Sequence, residues 1–128
     1  MKSVLQLKRF VLVAMLAIGG FSITSCEKDD SDPKLPYDLT RGIAIANEGS
    51  YGSSNASLSV YYPDGDSIEN DVFTKVNGRP LGDVFQSIGF AGDNAYLVIN
   101  SSNKIEVVET KTCAEVTTIT GLEGPRYF

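Results

Sequence analysis

The feature that most constrains this chain is a run of short strand patterns from Arg41 onward, each closed by a turn signal. Ile43-Ala44-Ile45-Ala46 is a brief apolar run, and Leu58, Val60 and Tyr62 alternate with Ser57, Ser59 and Tyr61. Tyr96-Leu97-Val98-Ile99 reads as a strand buried on both faces. Ile105 and Val107 alternate with Lys104 and Glu106, and a β-branched stretch starts at Val116. Such alternation puts apolar side chains on one face of a pleated strand. Between these runs stand Pro63-Asp64-Gly65-Asp66, Gly92-Asp93-Asn94 and Thr110-Lys111-Thr112. Asp-Gly between strands is a strong hairpin signal. No helical period is sustained, so the chain is all-β.

The strands also repeat. Ile43-Ala44-Ile45-Ala46-Asn47 matches Tyr96-Leu97-Val98-Ile99-Asn100 at an offset of 53, and Ser57-Leu58-Ser59-Val60 matches Lys104-Ile105-Glu106-Val107 at 47. The difference is a six-residue excess in the loop from Glu48 to Asn55. Gly78-Arg79-Pro80 against Gly124-Pro125-Arg126 is a third match. A repeat of this length, built from antiparallel strands, has the size of a four-stranded propeller blade. The second copy reads as strands at Ser87–Ala91, Ala95–Asn100, Lys104–Glu109 and Glu115–Thr120. About two blades leave a ring incomplete, with sheet faces uncovered and edges open. Two blades alone are therefore expected to be marginally stable or prone to aggregate.

Composition removes whole classes of chemistry. The 128 residues allow one ordinary domain. They contain no His, which takes away the usual general base, most zinc sites and any Ser-His-Asp device. A formal charge of −5 argues against nucleic acid, whose phosphates call for a basic surface. Asp64-Gly65-Asp66-Ser67-Ile68-Glu69 lacks the Gly and the oxygen ligand that a calcium loop needs at its middle places. No metal and no cofactor is expected.

Residues 1–25 have the layout of a secretory signal peptide. Lys2, Lys8 and Arg9 form a basic start, Phe10 to Phe21 carry no charge, and Ser22 to Ser25 are more polar. Twelve uncharged residues are too few to span a bilayer, which takes about 20. Ile23-Thr24-Ser25-Cys26 resembles a bacterial lipobox, which implies lipidation of Cys26. Residues 26–40 then read as a tether, since Glu27-Lys28-Asp29-Asp30-Ser31-Asp32-Pro33 is too charged to fold. That acidic run resembles the export signal by which Bacteroidota lipoproteins reach the outer face of the cell. Removing residues up to Cys26 takes three of the 11 Lys/Arg and none of the 16 Asp/Glu, leaving a charge near −8. Cys113, the second cysteine, has no local basic cluster in sequence and reads as a packed thiol.

Asn47-Glu48-Gly49, Ala56 to Tyr61 and Asn77-Gly78-Arg79-Pro80-Leu81-Gly82-Asp83 resemble the opening of YncE-like (YVTN-type) propeller lipoproteins of Bacteroidota, as do Asn103 to Val108 and Gly124-Pro125-Arg126-Tyr127. The resemblance spans roughly residues 41–128. It implies a seven-bladed β-propeller, of which this chain would hold an N-terminal piece. It also implies an outer-membrane lipoprotein facing the exterior, held by the acylated Cys26. Some members of the family capture cobalamin for a TonB-dependent transporter.

Blade topology opens alternate loops on one end, and here that end is rich in Asn, Ser and Gly beside Tyr and Arg. The candidate ligand-binding residues are Asn47, Glu48, Tyr51, Asn55, Arg79, Asp83, Asn100, Asn103, Arg126 and Tyr127. Amides and hydroxyls near aromatic rings suit a polar organic ligand, cobalamin or a glycan. Asp66-Ser67-Ile68 fits the loose tripeptide of Bacteroidota O-glycosylation, which makes Ser67 a candidate acceptor. The expected function is ligand capture without catalysis. A structural or adhesive surface module is the alternative. A propeller enzyme of lactonase or quinoprotein type fits less well, since the sequence offers no His and only scattered carboxylate candidates such as Glu48 and Asp83.

Overall fold

The computed structural model describes residues 37–128. The expected signal peptide, Cys26 and the tether as far as residue 36 lie outside the described residues. The order is β1 (Ile43–Asn47), β2 (Ser57–Tyr62), β3 (Ser67–Glu69), α1 (Val72–Asn77), β4 (Phe85–Ala91), β5 (Asn94–Ile99), β6 (Lys104–Glu109) and β7 (Glu115–Ile119). They build two antiparallel sheets, β1-β2-β3 and β4-β5-β6-β7. The protein is all-β, with antiparallel blades of a propeller whose ring is incomplete. The second blade has four strands, as its turn signals predict. The first has three.

Directly opposed residues of an antiparallel ladder share a face, so the registers define each surface. Leu58 and Val60 of β2 turn toward the second blade, whose β5 answers with Ala95, Leu97 and Ile99. Phe85, Leu81 and Val108 complete this core. The opposite faces point away from it. On the first blade that face carries Ile43, Ile45, Tyr61 and Ile68, and on the second Tyr96, Val98, Ile105 and Val107.

Three features depart from the sequence reading. First, Ala46 pairs with Leu58 whereas Val98 pairs with Ile105, so with Leu58 matched to Ile105 the β1–β5 offset is 52 rather than 53. One residue of slip moves every side chain to the other face. The matched letters had equated Ile43 with Tyr96; the register equates Ala44 with it. Second, Val72–Asn77 is a helix, where the sequence shows no sustained helical period. Six residues are too few to be helical unaided. Val72 and Phe73, both fully buried, hold it by about 2 kcal/mol each. Third, Leu39, placed in the tether, is buried in the core, and its N–H donates to the Thr110 carbonyl at 2.8 Å. Packing therefore begins ahead of residue 41.

Candidate functional site

The segment Gly82-Asp83-Val84-Phe85 threads between the blades and ties their loops together. The Gly82 carbonyl accepts from the Ala56 N–H at 3.1 Å, and the Glu48 carbonyl accepts from the Phe85 N–H at 3.2 Å. Asp83 bridges both loops. Its Oδ2 accepts from the Gly52 N–H at 2.8 Å, and its own N–H donates to Ser102 Oγ at 2.9 Å. The Val84 carbonyl accepts from the Asn100 N–H at 2.8 Å. The β1–β2 loop, the connector and the β5–β6 loop are thus one surface.

That closeness has a backbone cost. Gly82 has φ +135°, and a Cβ there would lie 2.7 Å from Ser102 Oγ and 2.9 Å from Ile99 Cγ2. Val84 has φ +60°, a left-handed conformation that a β-branched residue adopts only under constraint. The hydrogen bonds on either side of Val84 impose it. Asp83 Oδ1 is buried and has no hydrogen-bond partner among the described residues.

The candidate residues divide into four groups. Tyr51, at the tip of the β1–β2 loop, is 84% exposed, and Tyr127 is 82% exposed. Glu48 and Arg126 are exposed as well. Their side chains make no hydrogen bond to another described residue. The second group shapes the loops: Asn55 Oδ1 accepts from the Ser50 N–H at 2.8 Å, and Asp83 acts as described. Asn100 Nδ2 donates to the Pro125 carbonyl at 3.0 Å, and Asn103 Oδ1 accepts from the Gly124 N–H at 2.9 Å, so this pair holds the closing segment.

The third group works away from the loops. Asn47 lies on a sheet face, where its Nδ2 donates to Ser59 Oγ at 2.8 Å and Ser57 Oγ at 3.2 Å; Ser59 in turn donates to Asn70 Oδ1 at 2.8 Å. Arg79 is the larger correction. Its guanidinium grips the Glu106 carboxylate with bonds of 2.8 and 2.9 Å, reaches Glu115 at 2.8 Å, and stacks 4.9 Å over the Phe73 ring. Lys104 and Thr118 also donate to Glu106, at 2.6 and 2.7 Å. Burial alone would raise the Glu106 pKa, but these donors outweigh it and hold the carboxyl down at about 2. Arg79 is raised above its ordinary value, chiefly by the hydrogen bond to Glu106. It is an internal clamp between connector and blade, with its donors committed. Ser67 stands apart from all of these, exposed at the start of β3.

Two contributors escaped the sequence reading. Ser102 lies between the candidates Asn100 and Asn103 and was legible only as one of several hydroxyls at that end. Asn77 joins α1 to the β6–β7 turn: Nδ2 donates to the Cys113 carbonyl at 3.1 Å, and Oδ1 accepts from the Glu115 N–H at 2.8 Å. Its position just before Gly78 was the available signal, since Asn-Gly marks a chain reversal. Cys113 itself is buried, and burial pushes its thiol pKa up to about 12. Among the described residues, no three or more Cys, Asp or Glu gather to hold a metal ion.

Fold and loops together define a blade-repeat domain with a stiff polar end. Residues 41–128 match the family described as a domain of unknown function, DUF5074, and the chain belongs to that family. No curated protein matches it.

Proposed function

We infer that this protein is a surface-exposed, lipid-anchored member of a ligand-capturing propeller class. Its loop end takes a polar organic ligand, cobalamin or a glycan, for hand-over to a TonB-dependent outer-membrane transporter. The observation that carries the reading is the exposure of Tyr51, Glu48, Arg126 and Tyr127 around loops that Asp83 stiffens. Exposed aromatic rings on a preorganised frame lose little entropy on binding. The turns at the other end, at Gly65, Asp93 and Thr112, display no large aromatic side chain of their own. Lipidation of Cys26 supplies the anchor in this account, and two or more acyl chains give stable attachment. Ser67 is exposed as a glycan acceptor must be.

Calorimetric titration of cobalamin and a panel of oligosaccharides into the protein tests this reading. Saturable binding to one of them, weakened about tenfold or more by Tyr51→Ala with stability unchanged, is the expected result. Silence across the panel would favour the structural or adhesive module instead.

A further inference from the structure

Val84 stands apart in its backbone. Among the described residues the other non-glycines with positive φ are Ser54, Asp66, Asp71, Asn103 and Cys113, none of them β-branched. Val84 is branched, buried and held at φ +60°. That conformation presses the Cβ of any L-residue against the following carbonyl oxygen, and a second carbon on Cβ adds to the crowding. Strain of this kind persists only where the surroundings over-determine it.

Five hydrogen bonds do so here, and all end on the four residues Gly82 to Phe85. Three run to the β1–β2 loop: the Ala56 N–H donates to the Gly82 carbonyl, the Gly52 N–H to Asp83 Oδ2, and the Phe85 N–H to the Glu48 carbonyl. Two run to the β5–β6 loop: the Asp83 N–H donates to Ser102 Oγ, and the Asn100 N–H to the Val84 carbonyl. Each loop is therefore bonded on both sides of the Val84 φ torsion. Rotation of Val84 back to negative φ turns one side against the other, and neither loop can keep its full set. The bonds hold or fail as a group, with the strain pulling toward release.

We propose that Gly82–Phe85 is a strained latch, with a minor released state in which Val84 relaxes and the two loops part together. Its service as a gate rests on the ligand-capture reading. A ligand that spans the Tyr51 loop and the Asn100–Asn103 loop favours the latched state, while the strain keeps release within reach, as hand-over to a transporter requires. The released state itself needs no ligand, so the latch and the ligand-capture reading can fail separately.

Native-state amide hydrogen exchange of the full chain, without ligand, tests the latch. The amides of Gly52, Ala56, Asp83, Phe85 and Asn100 should share one protection factor, lower than that of the β5–β6 ladder. Val84→Gly and Val84→Ala both truncate the buried side chain and differ by one carbon, but only Gly escapes the left-handed penalty. Protection of the Gly52 and Ala56 amides should therefore be about tenfold higher in Val84→Gly than in Val84→Ala. Asp83→Ala, which leaves the core residues in place, should lower protection at Ala56, Phe85 and Asn100 together. Three outcomes would overturn the proposal. One is that the five amides exchange with unrelated factors, or no faster than the β5–β6 ladder. Another is equal protection in the Gly and Ala variants. The third is that Asp83→Ala exposes the Gly52 amide alone.

Discussion

Arg79 holds Glu106 through two parallel hydrogen bonds, of 2.8 and 2.9 Å, across 27 residues of chain. Glu106 has no solvent exposure and shares its face with Leu97. The pair joins the connector that leaves the first blade to the third strand of the second. A buried charge left wholly unpaired costs about 3–5 kcal/mol, but without Arg79 the Glu106 carboxylate keeps the Lys104 and Thr118 donors. Arg79→Met should therefore lower stability in urea unfolding by less than that, about 2 kcal/mol for the charge-assisted hydrogen bonds removed. Arg79→Met combined with Glu106→Leu should recover much of the loss, and a double variant no more stable than the single one would contradict the clamp.

The same carboxylate sets an acid limit. In the folded protein Glu106 stays ionised down to about pH 2, below its ordinary value of 4.5. The unfolded chain takes up that proton first, so the contribution is complete above about pH 5 and disappears as pH falls toward 2. Glu106→Gln should flatten the stability profile in that window. An unchanged acid slope would place the acid sensitivity elsewhere.

Gly89 makes room for an aromatic stack. The Phe128 ring lies 4.3 Å from that of Tyr96, at 19° between planes. A Cβ on Gly89 would clash with the Phe128 ring at Cδ1. Gly89→Ala should expel the Phe128 ring and cancel the ring-current shifts of Tyr96 in NMR spectra. Aromatic pairs contribute about 1 kcal/mol beyond area burial. A double-mutant cycle with Phe128→Ala should show coupling of that size, and additive effects would contradict the contact.

Cys113 should be inert in the native state. Its thiol is buried and its pKa pushed up to about 12, so almost no thiolate forms at neutral pH. Labelling of Cys113 by a thiol reagent, located by peptide mapping, should be slow in buffer and rapid in urea. Fast native labelling at Cys113 would show that the β6–β7 turn opens readily.

Much of the fold was legible because strand periodicity and turn chemistry agreed. β2, β5 and β6 follow apolar alternation or an apolar run, and Asp-Gly or Gly-Asp stands between paired strands. β3 was not legible, since Ser67-Ile68-Glu69 is too short to show a period. α1 was missed because its apolar residues, Val72, Phe73 and Val76, fill a single turn and a half flanked by Asn, Asp and Gly. The slip between Ile43–Asn47 and Tyr96–Asn100 has a different cause. Letters aligned there without a ladder to count against, and only pairing fixes a register. Glu106 reads as the polar half of an alternating strand, and nothing local says that a residue 27 positions earlier neutralises it. For the same reason Arg79 looked free to meet a ligand. Tyr51 and Asp83 were legible as members of one loop end, whereas the bond from the Gly52 N–H to Asp83 spans 31 residues and belongs to the folded state.

Ligand capture by this protein requires that the ligand land on the loop end. The most direct measurement is amide chemical-shift mapping of the protein as cobalamin is added. Progressive, saturable shifts at Gly52, Asp83, Ser102 and Asn103, with Gly65, Asp93 and Thr112 unmoved, are the predicted result. Shifts confined to those opposite turns, or no shifts at saturating cobalamin, would contradict it.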